Sequence, residues 1–535
     1  MDIKLTIPMP PRCSNKKNNV KGKEESKIKS TYMGTKGYTI LKNTLTEKEI
    51  VKIKKDLTIK PFNGIISYQH DSSNTYPVFR ESSNKMYVPR YYGNESFGEP
   101  IENKLPYGDL INVEFNGELR DNQKIVVKRY LDFVNGNSNN TKGEKTGGGL
   151  LELPCAYGKT TLSLYILSKL KVKTLVVVHK EFLLNQWIER IHQFLPTARI
   201  GKIQGKIIDI ENKDIVMCML QSISMKDYSA DIFSSFGLTV IDEVHHISSE
   251  TFSKSLFKLV TNYTLGLSAT MNRQDGTSKV FKMFLGDVVY KGKRDIEHDV
   301  IVRAMKYYVN DDDFNEVLYD ARGNPKYSTM ISKLCAYTRR SEYIIKIIDD
   351  LLKENNDQQI MVLAHNKSLL TYIYDTISSR NIAPVGYYIG GMKEAALKIS
   401  ETKQIVIATY SMAAEALDIK TLTTLVMATP KTNIEQSVGR ILRSKHSNPI
   451  VVDIIDTHSI FSNQWNKRKK FYKSQKYKII YNSNKDTVVD GVIKWSDKDI
   501  KVNSTLIDDS NKINIDMFNI FCDGTKHDND NYEEI

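Results

Sequence analysis

Short apolar runs alternate with amphipathic stretches over two long segments of the chain. In the first, 107–290, Gly149–Leu153, Lys173–Val178, Ile215–Met219, Leu238–Ile241 and the run beginning at Leu265 read as strands, and Leu162–Leu170 and Glu181–Phe194 read as helices. In the second, Ile360–Ala364, Gln404–Ala408, Thr424–Ala428 and Ile450–Ile455 read as strands, with Lys367–Arg380 as a helix. Strands alternating with helices predict α/β units, each built on a doubly wound parallel sheet. The polar segment Asn310–Ser328 between them reads as a linker or surface loop. The apolar runs are strand-sized, far below the ~20 residues that span a bilayer, and the N-terminus lacks an apolar signal core. The expectation is an intracellular protein without a membrane partner.

A smaller unit precedes these two. Thr46-Glu-Lys-Glu49 is a capping box, followed by Ile50, Ile53 and Leu57 at helical spacing. Gly64–Tyr68 and Lys85–Tyr92 read as β-structure, and the unit ends near Pro106. Residues 1–45 carry ten Lys/Arg against three Asp/Glu and read as a basic tail, whereas 508–535 carry eight acids against two bases. Over all 535 residues, 76 Lys/Arg against 63 Asp/Glu give +13, which favours an anionic partner. The five cysteines stand singly with no C-x-x-C pair, which argues against a zinc ribbon or a disulfide framework. The segment 465–478 holds seven Lys/Arg, four aromatics and no acid. It reads either as a solvated helix face or as a phosphate-contacting helix with stacking aromatics.

The chemistry is concentrated in four places. Gly158-Lys159-Thr160 stands where an apolar strand turns into a helix. A phosphate-binding loop needs backbone N–H groups at a helix start, a lysine for the β/γ oxygens and a hydroxyl for Mg²⁺. Leu153 occupies the first glycine position of the full pattern. Leu238–Ile241 runs into Asp242 and Glu243. An acid at such a strand end can hold Mg²⁺, and the next can deprotonate an attacking water. Ser268-Ala269-Thr270 follows a further strand, where its hydroxyls can link the acids to a moving partner. Gln436, Arg440 and Arg443 share a helix face by spacing, which suits an arginine finger acting on a γ-phosphate.

Taken in order, these motifs resemble those of the superfamily 2 helicases, over about 107–460. The resemblance implies two tandem RecA-like domains, ATP and Mg²⁺ as cofactors, and nucleic acid as partner, with DNA favoured and RNA possible. It implies adenine contacts in Leu119–Gln123 through Arg120 and Gln123. Nucleotide contacts follow at Ala156, Tyr157, Gly158, Lys159, Thr160, Thr161 and Asp418, with Thr160 and Asp242 on Mg²⁺. Lys159, Asp242, Glu243, Gln436, Arg440 and Arg443 take the catalytic roles. His245, Ser268, Ala269, Thr270, Arg273 and Asp275 couple hydrolysis to movement. His179, Lys180, Gln186, Trp187, Gln221, Ser222 and Thr409 touch the nucleic acid.

Arg273-Gln-Asp275 after Ser-Ala-Thr is similar to the Arg-Glu-Asp triplet of the XPB-like DNA translocases. The Asp-Glu-Val-His box and the chain length resemble compact helicases of large DNA viruses, including the poxvirus transcript-release helicase. That likeness implies transcription-machinery partners and a host cytoplasm, viral factory or virion location. Ala156 and Ala416 replace glycines of the family pattern. The expected organisation is a basic tail over 1–37, a small α+β domain over 38–106, RecA-like domains over 107–300 and 331–480 joined by a linker over 301–330, and a C-terminal extension with an acidic tail over 481–535. The competing readings are an RNA helicase and a non-enzymatic nucleic-acid-binding subunit with a degenerate ATP site.

Overall fold

The computed structural model describes residues 29–62, 75–136, 147–154, 157–247, 249–271, 273, 275–293, 299–321, 323–415, 419–441, 448–485 and 495–497. The chain divides into two compact units, Met1–Glu297 with Glu415–Asp418, and His298–Ala414 with Ile419–Ile535.

The first unit is built on an eight-stranded sheet. Its spatial order is Ile207–Asp209, Ile200–Gln204, Ile215–Met219, Thr174–Val178, Leu238–Ile241, Tyr263–Ser268, Gly148–Glu152 and Val288–Lys291. All neighbours pair in parallel except the edge hairpin of Ile200–Gln204 with Ile207–Asp209. A parallel sheet must be covered on both faces, and its strands are accordingly apolar throughout. Alternate residues of one strand enter different cores. Val176 and Val178 pack with Trp187 and Leu164, whereas Leu175 and Val177 pack with Phe236 and Phe281. The doubly wound expectation therefore holds for this unit.

The same unit begins with a smaller sheet ordered Arg80–Glu81, Lys85–Val88, Gly37–Leu41, Thr31–Gly34 and Glu102–Asn103. Helix Glu47–Asp56 starts at the expected capping box: the Glu49 N–H donates to Thr46 Oγ1 at 3.3 Å, and the Thr46 N–H donates to Glu49 Oε2 at 2.9 Å. Two expectations change here. Residues 31–34, assigned to the basic tail, form a strand whose Met33 enters the core beside Tyr38 and Ile40. Residues 90–92, read as β, open helix Arg90–Phe97, because Pro89 sets φ at −56° and has no N–H to lose at a helix start. Gly64–Tyr68 lies outside the described residues.

The second unit carries a seven-stranded, wholly parallel sheet ordered Val385–Tyr388, Ile405–Thr409, Gln359–Ala364, Leu422–Met427, Ile450–Asp456, Ile301–Tyr307 and Lys478–Ser483. Residues 301–307, expected in a linker, are thus an internal strand of this sheet. Val302, Ala304, Met305 and Tyr307 are buried, and the pairing partners lie far along the chain. The rest of the expected linker holds the short helix Asp312–Asn315, with Phe314 buried, and the start of helix Tyr327–Ala336. Among the described residues, no helix is long and apolar enough to cross a membrane.

The basic segment 465–478 lies on helix Ser459–Ser474 and the strand after it. Three of its four aromatics, Trp465, Tyr472 and Tyr477, are buried and so do not form a base-stacking row. Arg468 is buried as well and grips Asp453 with two hydrogen bonds of 2.7 and 2.8 Å, while Tyr472 donates to the same carboxylate at 2.9 Å. Helical spacing turns Trp465, Arg468 and Tyr472 inward and leaves Lys467, Lys470 and Lys473 exposed.

Candidate active site

The phosphate-loop strand Gly148–Glu152 and the acid-bearing strand Leu238–Ile241 flank Tyr263–Ser268, so three of the sequence motifs leave the same sheet edge. Helix Lys159–Leu170 starts from Gly158, whose φ is +90°. A Cβ there would also stand 2.5 Å from Gln123 Nε2, so both the backbone and the packing require glycine. The Tyr157 carbonyl just before it accepts from Arg120 Nη2 at 2.6 Å and Gln123 Nε2 at 2.9 Å. Arg120 and Gln123, expected at adenine, thereby hold the loop itself. Thr160 and Thr161 lie half-buried in the helix's first turn, and Ala156 is outside the described residues.

Lys159 Nζ meets Glu243 Oε1 at 2.5 Å. Glu243 adopts φ 50° and ψ 58°, a left-handed conformation unusual for a non-glycine residue. Beside it, Asp242 is buried; its Oδ2 accepts from Trp187 Nε1 at 2.9 Å, and its Oδ1 accepts from the Glu243 N–H at 3.0 Å. Burial opposes ionisation of Glu243, but the charges of Lys159 and His245 outweigh it and hold the carboxyl down at about 2. Burial and the neighbouring Glu243 charge push Asp242 up.

His245 Nδ1 lies 3.0 Å from Ser268 Oγ and 3.4 Å from Glu243 Oε2. The Ser268 hydroxyl donates to the Thr270 carbonyl at 2.7 Å, which leaves its oxygen to accept from the imidazole. Burial lowers the His245 pKa, against the pull of Glu243. Arg273 binds the His245 carbonyl through Nη1 and Asp275 through Nε and Nη2, the latter at 2.6 Å. Asp275 also accepts from the Thr277 hydroxyl at 2.7 Å. Against burial, these bonds hold its carboxyl down at about 2. The expected coupling residues are thus hydrogen-bonded in series from Glu243 to Asp275, with Ala269 buried between Ser268 and Thr270.

The residues expected at nucleic acid divide. Trp187, at 1 % exposure, and His179, at 6 %, are buried, and Trp187 serves Asp242. Gln221 donates to the His179 carbonyl at 2.6 Å, and Ser222 Oγ accepts from the Gly205 N–H at 2.9 Å. Lys180 and Gln186 are half-buried at the start of helix Glu181–Phe194. His246, absent from the expected set, stacks between His179 and His245, with ring centroids 4.0 and 4.2 Å away. The doubled histidine after Glu243 was the available signal.

In the second unit, Thr409 closes strand Ile405–Thr409, with Oγ1 3.2 Å from Ser411 Oγ. Arg440 is buried at the end of helix Glu435–Arg440. Arg443, Asp418 and the Gln436 side chain lie outside the described residues. His365, which follows strand Gln359–Ala364, lies 2.9 Å from Thr429 Oγ1 through Nδ1 and against the Tyr410 ring at 4.8 Å. Partial desolvation by its neighbours and then the Lys431 charge lower its pKa.

Residues 116–273 match the family model described as the type III restriction enzyme res subunit. A protein of Acanthamoeba polyphaga mimivirus named as an ATP-dependent RNA helicase is 34% identical over 474 residues, covering 86% of this chain and 89% of that protein. One of African swine fever virus, also named as an ATP-dependent RNA helicase, is 29% identical over 357 residues, covering 62% and 69%. The DNA 3'-5' translocase XPB2 of Sulfurisphaera tokodaii is 26% identical over 375 residues, covering 63% and 81%. With a viral helicase aligned over nearly its whole length, the chain belongs to the superfamily 2 ATP-dependent helicases, beside those of large DNA viruses.

Proposed function

We propose that this helicase is a DNA-tracking motor whose ATP site is the phosphate loop and carboxylate pair of its first unit. The observation that carries the reading is the Lys159–Glu243 ion pair of 2.5 Å beside the buried Asp242. ATP brings β/γ-phosphate oxygens that compete with Glu243 for Lys159. Once the ammonium turns to the phosphates, one of the charges that hold Glu243 ionised is withdrawn and its proton affinity rises when a base is needed. Glu243 then takes a proton from water as the water oxygen bonds to the γ-phosphorus and the bond to the ADP oxygen breaks.

Asp242 and the Thr160 hydroxyl suit Mg²⁺, which draws most of its ligands from phosphates and water and needs few from protein. Both Asp242 oxygens keep a lone pair beyond their single hydrogen bonds. Such an ion supplies charge neutralisation at the phosphates. Arg440 and Arg443 are the cations that the family pattern assigns to the γ-phosphate. The series from Glu243 through His245 and Ser268 to Arg273 and Asp275 couples hydrolysis to movement.

DNA is favoured by the Arg273–Asp275 pair, which follows Ser268-Ala-Thr as the corresponding triplet does in the XPB group. An RNA substrate is the second reading, supported by the names of the viral relatives. Phosphate release measured without nucleic acid and with single-stranded DNA, duplex DNA, single-stranded RNA and duplex RNA separates the two. The expected result is strongest stimulation by duplex DNA. Stronger stimulation by RNA replaces the DNA reading, and absence of any stimulation ends the motor reading.

A further inference from the structure

The small sheet near the N-terminus has one face in the core, and on its other face the central Thr39 is buried while the tyrosines on either side are half-exposed. Met33, Tyr38, Ile40, Met86 and Val88 fill the inner face. On the outer face, Tyr32 pairs across from Thr39, and Thr39 pairs across from Tyr87. Directly opposed residues point to the same side of a sheet, so the two tyrosines flank Thr39 in a single row, about 10 Å apart at two strand spacings. Both rings are half-buried, and the Tyr32 ring lies over Gly34, where a Cβ would stand 3.1 Å from it.

Cations gather on these rings. Lys104 Nζ is 4.7 Å and Lys85 Nζ 5.4 Å from the Tyr32 centroid, and Lys36 Nζ is 5.6 Å from the Tyr87 centroid. Lys85 also donates to the Tyr32 hydroxyl at 3.0 Å. Glu102, opposite Tyr32, pairs with Lys104 at 2.9 Å, so the face keeps a positive excess.

We propose that this face binds single-stranded nucleic acid, with Tyr32 and Tyr87 stacking bases and Lys36, Lys85 and Lys104 meeting phosphates. Two tyrosine rings in one row, each with an ammonium group over it that can turn to a phosphate as a base takes its place, match a splayed strand whose bases and backbone alternate. A duplex keeps its bases stacked inside and offers such a face only its phosphates. The site lies on a sheet separate from the one that carries the phosphate loop. It therefore gives this motor a second grip on a strand, independent of the ATP site.

The test is fluorescence anisotropy of the full chain, without nucleotide, on labelled oligo(dT), oligo(U) and a blunt DNA duplex. Omitting nucleotide separates its outcome from that of the ATP-site reading. The Tyr32→Ala/Tyr87→Ala variant is expected to bind the single strands at least about tenfold more weakly, with duplex binding within about two-fold of wild type. The Tyr32→Phe/Tyr87→Phe variant should retain affinity. The Lys36→Ala/Lys85→Ala/Lys104→Ala variant should flatten the log–log salt slope on single strands by about 2. Loss on oligo(dT) and oligo(U) alike supports a face that reads the chemistry both strands share. Loss on one alone supports the site and names its strand. The proposal is overturned if the folded tyrosine variant binds both single strands within two-fold of wild type, or loses duplex and single strands equally. Should that variant not fold, an unchanged salt slope in the lysine variant overturns it.

Discussion

Trp187 donates its indole N–H to Asp242 across 55 residues of sequence, at 2.9 Å and out of contact with solvent. The bond joins a helix expected to touch nucleic acid to the carboxylate proposed for the metal. Trp187→Phe keeps the ring and removes the donor, leaving one lone pair of a buried carboxylate unanswered, at about 1–3 kcal/mol. We expect a lower melting temperature, a higher Mg²⁺ requirement for ATP hydrolysis, and nucleic-acid affinity within two-fold of wild type. A selective loss of nucleic-acid affinity would return Trp187 to the contact role that its position in the sequence suggests.

Glu243→Gln keeps the shape and removes the base. ATP binding should persist while turnover falls about 10²–10⁴-fold. Lys159→Ala should instead abolish hydrolysis and weaken binding, and it removes the cation that holds Glu243 ionised. Equilibrium binding of a fluorescent ATP analogue beside single-turnover phosphate release distinguishes the two. Loss of binding in Glu243→Gln would reassign Glu243 to a structural role.

Asp275 gives a pH signature. Its carboxyl sits at about 2, below the ordinary 3.8, so it binds its proton less readily folded than unfolded. Its contribution to stability is present above about pH 4 and is lost as the pH falls toward 2. The gap between wild-type and Asp275→Asn melting temperatures should therefore narrow across that window. The same variant loosens Arg273 from the His245 carbonyl, so nucleic-acid-stimulated turnover should drop while unstimulated turnover holds. A gap constant from pH 5 to pH 2 argues that Asp275 acts by packing alone.

Within 465–478 the charges divide by burial. Arg468→Met strands Asp453 without its cation in the core and should cost about 3–5 kcal/mol. Lys467→Ala, Lys470→Ala and Lys473→Ala should each stay within about 0.5 kcal/mol. If those lysines meet phosphates, the triple variant flattens the salt slope of duplex DNA binding by up to about 2.7. An unchanged slope leaves them as a solvated face.

Arg440→Ala and Arg443→Ala test whether the second unit takes part in ATP chemistry. An arginine that serves the transition state is worth roughly 10³–10⁵ in rate, with ground-state affinity little changed. Normal stimulated turnover in the double variant would mean that the second unit contributes no cation to hydrolysis.

Local chemistry was the legible part of this sequence. The Thr46–Glu49 capping box depends on four consecutive residues, and the phosphate-loop helix on a glycine–lysine–threonine turn, so spacing alone locates them. The two parallel sheets follow from strand-length apolar runs. What was illegible depends on distant partners. Trp187 looks like any aromatic on an amphipathic helix until Asp242 is brought beside it. Arg468 hides in a run of lysines, because only burial against Asp453 distinguishes it. Residues 301–307 include Arg303 and Lys306, which blur the apolar pattern, and their pairing partners begin at Ile450 and Lys478. Arg120 and Gln123 were expected at adenine, and their contact with the Tyr157 carbonyl is a matter of geometry that spacing does not carry.

That internal strand has a consequence for synthesis. Ile301–Tyr307 leaves the ribosome before any other strand of its sheet, yet both neighbours it pairs with are the last two to emerge. At ~5–20 residues per second, roughly 10–35 s pass before both of its edges can be filled. Throughout that interval a strand with open hydrogen-bonding groups on both edges is available to any passing strand. The strands that close this sheet are thus the last two to be made, and a chain that stops short of Ser483 leaves one edge of Ile301–Tyr307 without its partner.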